Sequence, residues 1–191
     1  MSFYEECIKV VKDELNNFEF GIVTSIILTS IGNKHSECYD YNNKSKRLPN
    51  FTHVSYNHLS CSNFYGFEAK IIIKTDELEL TKIRKPELYE KIKDHYKFLI
   101  NSSITLNDNT YFIIALLHEF GHVEYLDKFY HYGSDVFKKV TFQKVYANAL
   151  QLIFNNKKSG SFYGFKPEEV YADKYAIENF FLIWNKVKHL I

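Results

Sequence analysis

Cysteine is scarce in this sequence, with three residues among 191, at Cys7, Cys38 and Cys61. The number is odd and the three positions lie far apart along the chain. Disulfide-dependent domains usually carry even, regularly spaced sets of cysteines, and thiolate metal sites need closely spaced pairs. The sequence therefore excludes a disulfide framework and a cysteine-based metal site.

Glycine and proline are also few, with seven and three residues, and no stretch rich in glycine, proline or serine divides the chain. No internal repeat and no low-complexity segment is present either. Linkers between domains are commonly built from such residues, and a chain of this length can form one sizeable core. We expect a single domain over residues 1–191.

Net charge and long apolar runs are lacking as well. The formal net charge is only +1, so electrostatics give no reason to expect binding to nucleic acid or to an acidic membrane surface. The apolar run GIVTSIILTS is shorter than the roughly 20 residues that span a bilayer, and the acidic N-terminus MSFYEECIKVVKDEL is unlike a signal peptide. These features predict no nucleic-acid partner, no membrane partner and a cytoplasmic location, and leave the oligomeric state undetermined.

What the sequence does have is 46% hydrophobic residues, in patterns that predict mixed secondary structure. Helical spacing or capping signals predict helices at residues 3–17, 86–99, about 134–155 and 167–188. Segments rich in β-branched residues predict strands at 21–30, near 51–56, at 67–75 and at 102–107. Together with the helix discussed next, they predict an α+β fold in which a small sheet packs under three to five helices.

The most apolar segment, NTYFIIALLHEFGHVEYLDKF, is predicted to be a helix capped by Asn107 or Asp108. Residues four apart share a helix face, so His118 and His122 present two imidazoles that can bind one metal ion, and zinc accepts such ligands. Glu119 lies about 100° round the helix, beside the metal, where it can take a proton from bound water. The opposite face is predicted to enter the core: Phe112, Leu116, Phe120 and Val123.

The alternative interpretation of this helix is two core histidines satisfied by hydrogen bonds, without a metal. That interpretation leaves Glu119 as a further buried group that needs a partner of its own. The other histidines, at 53, 58, 95 and 189, show no ligand spacing with one another. We interpret them as ordinary surface or core residues.

A third ligand is predicted on the last helix, within KPEEVYADKYAIENFFLIWNKV. Glu169 and Asp173 lie one turn apart at the start of an apolar stripe, and Glu168 projects to the polar side with Tyr175. The stripe continues through Ala172, Ala176, Ile177, Phe180, Trp184 and Val187. A metal ion is a suitable counter-charge for buried carboxylates, although acidic residues in a first turn also favour the helix dipole without any metal. The last helix and the motif helix could approach each other closely, because the stripe contains Ala172 and Ala176 and the motif helix contains Gly121.

The pattern His118-Glu119-x-x-His122, followed by Glu169-x-x-Ala172-Asp173, resembles the gluzincin-type zinc metallopeptidases. The segment ITLNDNTYFIIALLHEFGH also resembles small bacterial and phage peptidases of the ImmA/IrrE type. The similarity covers residues 100 to 180 approximately; that group often has asparagine where Asp173 stands, and no helix-turn-helix is recognisable here. The resemblance implies a zincin-like fold with the motif on the active-site helix.

The resemblance also implies roles for individual residues. His118, His122 and Glu169 would bind Zn²⁺, and Glu119 would be the general base towards the zinc-bound water and then the acid towards the leaving amine. Asp173 would accept the free imidazole N–H of a ligand histidine, for which we favour His118. An oxyanion donor is still needed, and the candidates are Tyr163, just before the last helix, and His131, just after the motif helix.

The predicted function is a zinc-dependent endopeptidase that acts on peptide or protein substrates. The alternative is a non-catalytic zincin-fold protein that regulates or binds a partner; a purely structural zinc site would have no use for Glu119. A substrate is expected to bind in an extended conformation against an edge strand, with 102–107 as the first choice and 67–75 as the second.

Overall fold

The computed structural model describes residues 2–29, 52–61, 64–131 and 167–191. In chain order the elements are α1 (Phe3–Leu15), β1 (Gly21–Thr29), β2 (His53–Cys61), β3 (Phe64–Lys74), α2 (Glu77–Arg84), α3 (Pro86–His95), α4 (Lys97–Asn101), α5 (Asp108–His131), α6 (Pro167–Val187) and a 3₁₀ turn (Lys188–Leu190). The mixed α+β class and the small sheet are confirmed. The described residues hold six α-helices, more than the three to five predicted; the helix predicted at 134–155 lies outside them.

The sheet has the order β1-β3-β2. β1 runs parallel to β3, with Gly21 opposite Phe67, and β2 runs antiparallel to β3, with Tyr56 opposite Ala69. The central strand β3 buries one face through Phe67, Ala69, Ile71 and Ile73. On its other face the Lys70 side chain is 47% exposed, so the sheet is covered mainly on one side. The three strands predicted in the first half of the chain are therefore confirmed.

The strand predicted at residues 102–107 is wrong. Ser103 has a φ of 59°, in the left-handed region, which no strand residue adopts. The backbone groups of this segment make hydrogen bonds to nearby residues instead of to another strand. The Ile104 N–H donates to the Leu99 carbonyl at 2.9 Å, and the Thr105 carbonyl accepts from the Thr110 hydroxyl at 2.9 Å. The second choice for binding a substrate, 67–75, falls on β3, whose two edges are both occupied by neighbouring strands.

The segment after the sheet is more broken than predicted. Pro86 occupies the first turn of α3 as expected, but the helix predicted over 86–99 is interrupted at Tyr96, which separates α3 from α4. The short helix α2 was not predicted. Its first turn is capped from a distance, because the N–H groups of Leu78 and Glu79 both donate to Asp108 Oδ1 at 3.1 Å.

α5 lies in the centre of the fold, between the sheet and α6. The predicted core face is confirmed, since Phe112, Leu116, Phe120 and Val123 are all buried. The opposite side is buried too in the first half of the helix, through Ile113, Ile114 and Leu117, so the helix is enclosed rather than two-faced. None of the helices described is both long and apolar enough to cross a membrane.

One carboxylate fixes α5 relative to the sheet. Asp127 accepts the backbone N–H groups of Glu19 at 3.1 Å and of Phe20 and Gly21 at 2.7 Å, at the point where β1 begins. Hydrogen bonds to a charged acceptor are among the stronger ones in proteins. The position of the motif helix is therefore set by a polar anchor as well as by its apolar contacts.

Candidate metal centre

The helix that carries the motif starts with the predicted cap. Asn107 Oδ1 accepts the Thr110 N–H at 3.1 Å, and the Thr110 hydroxyl accepts the Asn107 N–H at 2.8 Å. Asp108, the other predicted cap, serves α2 instead. From this start the helix continues without a break to His131, so His118 and His122 lie one turn apart on the same face.

α5 and α6 pack in unusually close contact beside the motif. A Cβ atom placed on Gly121 would lie 2.7 Å from Ala172 Cα and 3.0 Å from Tyr175 Cβ. The predicted close approach of the two helices is thus confirmed. On the same interface the Tyr171 hydroxyl donates to Glu124 and accepts from Lys128, which joins the helices by polar contacts as well.

The face of α6 that packs against α5 differs slightly from the predicted stripe. Ala172, Ala176, Phe180 and Val187 are buried as expected, and Ile183 joins them. Two assignments are wrong, because Ile177 is exposed and Tyr175 is buried. Tyr175 is covered because the helices approach closely at Gly121, where a Cβ atom would lie 3.0 Å from Tyr175 Cβ.

This packing brings three potential ligand atoms together. His118 Nε2 and His122 Nε2 are 3.1 Å apart, and Glu169 Oε2 lies 3.3 Å from the first and 3.6 Å from the second. Glu168 is not part of this group, which among the described residues consists of His118, His122 and Glu169. The structure therefore assembles a group that could hold a metal ion from the residues that the sequence singled out.

The spacing of these atoms fits a tetrahedral metal. Four ligands at the usual zinc bond lengths of about 2.0 to 2.2 Å lie roughly 3.3 to 3.6 Å from one another. Two of the three observed separations, 3.3 and 3.6 Å, fall within that range, and the third, 3.1 Å between the two imidazole nitrogens, is slightly shorter. Two imidazole nitrogens and one carboxylate oxygen also form a donor set suited to zinc and related transition metals, and unsuited to Ca²⁺ or Mg²⁺, which prefer oxygen alone.

The three side chains are mostly shielded from solvent. Those of His118, His122 and Glu169 are 20, 16 and 19% exposed. Burial raises the pKa of Glu169, but hydrogen bonds and positive charge from the two histidines outweigh it and hold the pKa at about 2. Burial lowers the pKa of His118, but its bonds to Asp173 and Glu169 outweigh that effect and raise the pKa to about 10. Negative charge is thus concentrated where a cation would bind.

Asp173 lies behind His118, on the side away from the other ligand atoms. Its Oδ1 is 2.8 Å from His118 Nδ1, so the ring can donate Nδ1–H to the carboxylate and direct Nε2 towards Glu169 and His122. Burial raises the pKa of Asp173, but the hydrogen bonds and charges of His118 and His95 outweigh it and hold the pKa well below its usual range. The predicted pairing of Asp173 with His118, rather than with His122, is the contact seen here.

Glu119 is buried, with 5% of the residue exposed. Burial raises the pKa of this carboxylic acid, and the neighbouring charges of His122 and His118 act in the opposite direction. Glu119 does not belong to the ligand group. Of the two candidate oxyanion donors, Tyr163 lies outside the described residues, and His131 is described only as the last residue of α5.

Two residues near the site were not predicted from the sequence. Tyr56, on β2, has a pKa raised well above its usual range by burial, with further increases from the charges of Glu119 and Glu169. His95, at the end of α3, lies 3.2 Å from Asp173 Oδ2 through its Nε2, a contact that was not predicted from the sequence. Neither has a sequence spacing that links it to the motif, because both reach the site only through the fold.

No protein-family model, curated protein or solved structure matches this chain. The resemblance to gluzincin-type and ImmA/IrrE-type peptidases therefore rests on the residues themselves. To those residues the structure adds a group of two imidazoles and one carboxylate that could bind a metal ion.

The close contact at Gly121 leads to a first prediction. In Gly121→Ala the new methyl group would overlap Ala172 Cα at 2.7 Å, so α5 and α6 must separate and the ligand atoms with them. We expect a loss of about 1 to 3 kcal/mol in stability, as for other overpacked sites. We also expect zinc affinity to fall by roughly the 10- to 100-fold seen when ligand support is disturbed. Thermal unfolding and zinc titration against a chelating dye measure the two effects.

The matched control is Gly21→Ala. A Cβ atom there would lie 2.6 Å from the Phe67 ring, on β1 and not between α5 and α6. This variant should also lose stability, but the folded protein should keep the zinc affinity of the wild type. Equal zinc affinity in Gly121→Ala and wild type would show that the helix contact does not hold the ligands in place.

Proposed function

We propose that the protein is a zinc-dependent endopeptidase of zincin-like fold that hydrolyses peptide bonds in peptide or protein substrates. The observation that carries the proposal is the triangle of His118 Nε2, His122 Nε2 and Glu169 Oε2, with edges of 3.1, 3.3 and 3.6 Å. Three protein ligands leave a fourth position for water, which is typical of catalytic zinc; structural zinc usually has four protein ligands.

The same donor set also binds Fe²⁺ in non-haem oxygenases. The presence of Glu119 favours hydrolysis over oxygenase chemistry. A carboxylate next in sequence to a ligand, buried and outside the ligand group, is the group that a hydrolytic site needs as a base. When bound, zinc would supply an activated water and a Lewis acid for the scissile carbonyl. Glu119 would accept a proton from the attacking water and later deliver a proton to the leaving amine.

The remaining residues would orient the ligands and the substrate. Asp173 would hold the His118 ring by its Nδ1–H, so that Nε2 stays directed at the metal position. Tyr163 remains a candidate for oxyanion stabilisation, and Tyr56 is a second candidate because its hydroxyl lies near the charges of Glu119 and Glu169. Tyr56→Phe should then lower kcat more than it raises KM, and an unchanged kcat would remove Tyr56 from this role.

A substrate would bind along β2, in place of the segments proposed from the sequence. Within the described part of the chain β2 pairs only with β3, and burial raises the pKa of its Tyr56, which the charges of Glu119 and Glu169 raise further. Hydrogen exchange on Glu119→Gln with a bound peptide should show new protection at residues 53–61. Strand β1 is the internal control, and protection gained there instead would place the substrate on the other edge.

The alternative is a non-catalytic protein of the same fold that regulates or binds a partner. The deciding experiment is incubation of the zinc-loaded protein with a peptide library and with an unfolded protein, followed by mass spectrometry of the products. The proposal predicts internal cleavages that disappear with a chelator and return with zinc. Full zinc occupancy without any cleavage would favour the non-catalytic alternative.

A further inference from the structure

Each oxygen of the Asp173 carboxylate lies within 3.2 Å of an imidazole nitrogen. Oδ1 lies 2.8 Å from His118 Nδ1, and Oδ2 lies 3.2 Å from His95 Nε2. Tyr96 lies nearby, since burial and then the charge of Asp173 raise the pKa of its hydroxyl well above its usual range. Two imidazoles from two other helices thus converge on one carboxylate, and only His118 belongs to the metal-binding motif.

His95 and Tyr96 both lie at the interruption between α3 and α4. His95 is the last residue of α3 and Tyr96 separates it from α4. The Tyr96 ring is buried and packs edge-on against His95 at 4.7 Å between ring centroids, and against Phe98 and Tyr111. The break in the helix therefore has a fixed, packed geometry that presents adjacent side chains to Asp173.

We infer that His95 is a positioning residue of the metal site, which acts on His118 through Asp173. A carboxylate held at one oxygen can rotate about its Cβ–Cγ bond, whereas one held at both oxygens cannot. By donating Nε2–H to Oδ2, His95 keeps Oδ1 for His118 and so fixes the His118 ring with Nε2 directed at the ligand group. This inference rests on the proposed zinc site, but not on peptidase activity.

A simpler interpretation is that His95 and Asp173 form a surface ion pair of no consequence. The His95 side chain is 42% exposed, and such pairs contribute little to stability. The two interpretations differ in what they predict for metal binding. A surface pair would leave zinc affinity and ligand geometry unchanged, whereas a positioning residue would affect both without destabilising the fold.

The test compares His95→Leu, which cannot donate, with His95→Gln, whose amide can donate from nearly the same position. We expect His95→Leu to weaken zinc binding roughly tenfold, at the low end of the range for such support, and His95→Gln to restore most of it. The visible spectrum of bound Co²⁺, which reports ligand geometry, should change in His95→Leu and return in His95→Gln. His189→Leu, an exposed histidine elsewhere, is the matched control and should match wild type.

Thermal unfolding of the metal-free variants separates this effect from misfolding. If His95→Leu fails to fold, His95→Ala carries the same comparison. Unchanged zinc affinity and Co²⁺ spectrum in His95→Leu would overturn the inference, and so would equal losses in His95→Leu and His95→Gln, because hydrogen-bond donation would then not be the cause. A wild-type protein that binds no zinc would overturn the proposed function first, and this inference with it.

Discussion

Glu119→Gln should remove most of the peptide hydrolysis, with kcat lower by roughly 10²- to 10⁴-fold, the usual cost of a lost general base. Glutamine keeps the size and hydrogen-bonding capacity of the side chain but cannot accept a proton from water. Because Glu119 is buried and lies outside the ligand group, zinc content should stay close to that of the wild type. Thermal stability should not fall, since a neutral amide replaces a carboxylate whose pKa burial raises.

Steady-state kinetics on a cleaved peptide, with zinc content measured on the same samples, provides the comparison. Glu124→Gln is the matched control on the same helix, because Glu124 contacts Tyr171 and lies outside the ligand group. It should turn over substrate at nearly the wild-type rate. A non-catalytic binding protein would show no turnover in any variant and equal partner affinity in all. Rapid cleavage by Glu119→Gln would show that the proposed mechanism is wrong, whatever the metal content.

Glu169→Ala should abolish zinc binding at micromolar metal, and Glu168→Ala should not. Glu169 Oε2 lies within 3.6 Å of both ligand histidines, whereas Glu168 is no part of that group. Loss of a direct ligand should exceed the 10- to 100-fold loss expected for Asp173→Asn, which would disturb only the support of His118. Zinc titration of the three variants should therefore rank them as Glu168→Ala, Asp173→Asn and Glu169→Ala, in order of increasing loss.

The adjacent glutamates form a natural matched pair, with the same side chain and neighbouring positions in the first turn of α6. Any general effect of removing negative charge near the helix N-terminus should appear in both variants. If Glu168→Ala loses zinc while Glu169→Ala keeps it, the orientation of α6 described here is wrong.

The ligand group could be predicted from the sequence because its parts follow local rules. His118 and His122 share a face through the helical repeat alone, and the phase of the last helix separates Glu169 from Glu168 without tertiary information. Gly121 and Ala172 need to be small because their helices are in close contact at these two positions. The strands of the first half were predicted for similar reasons, since their β-branched runs are local signals.

The parts that the sequence could not predict depend on contacts between distant segments. α2 is capped by Asp108, about 30 residues further on, and no pattern in the sequence of α2 predicts that cap. Residues 102–107 alternate like a strand, but Ser103 turns the chain and no neighbouring strand is there to pair with it among the described residues. His95 and Tyr56 reach the site only once α3, β2 and α5 are packed together.

The most direct test of the central claim is the metal content of the purified protein. Elemental analysis, before and after reconstitution with zinc, should find about one equivalent of zinc per chain, because His118, His122 and Glu169 could supply three ligands to a single metal ion. The same measurement on Glu169→Ala should find almost none. A wild-type chain that holds no transition metal, even after reconstitution, would contradict the account.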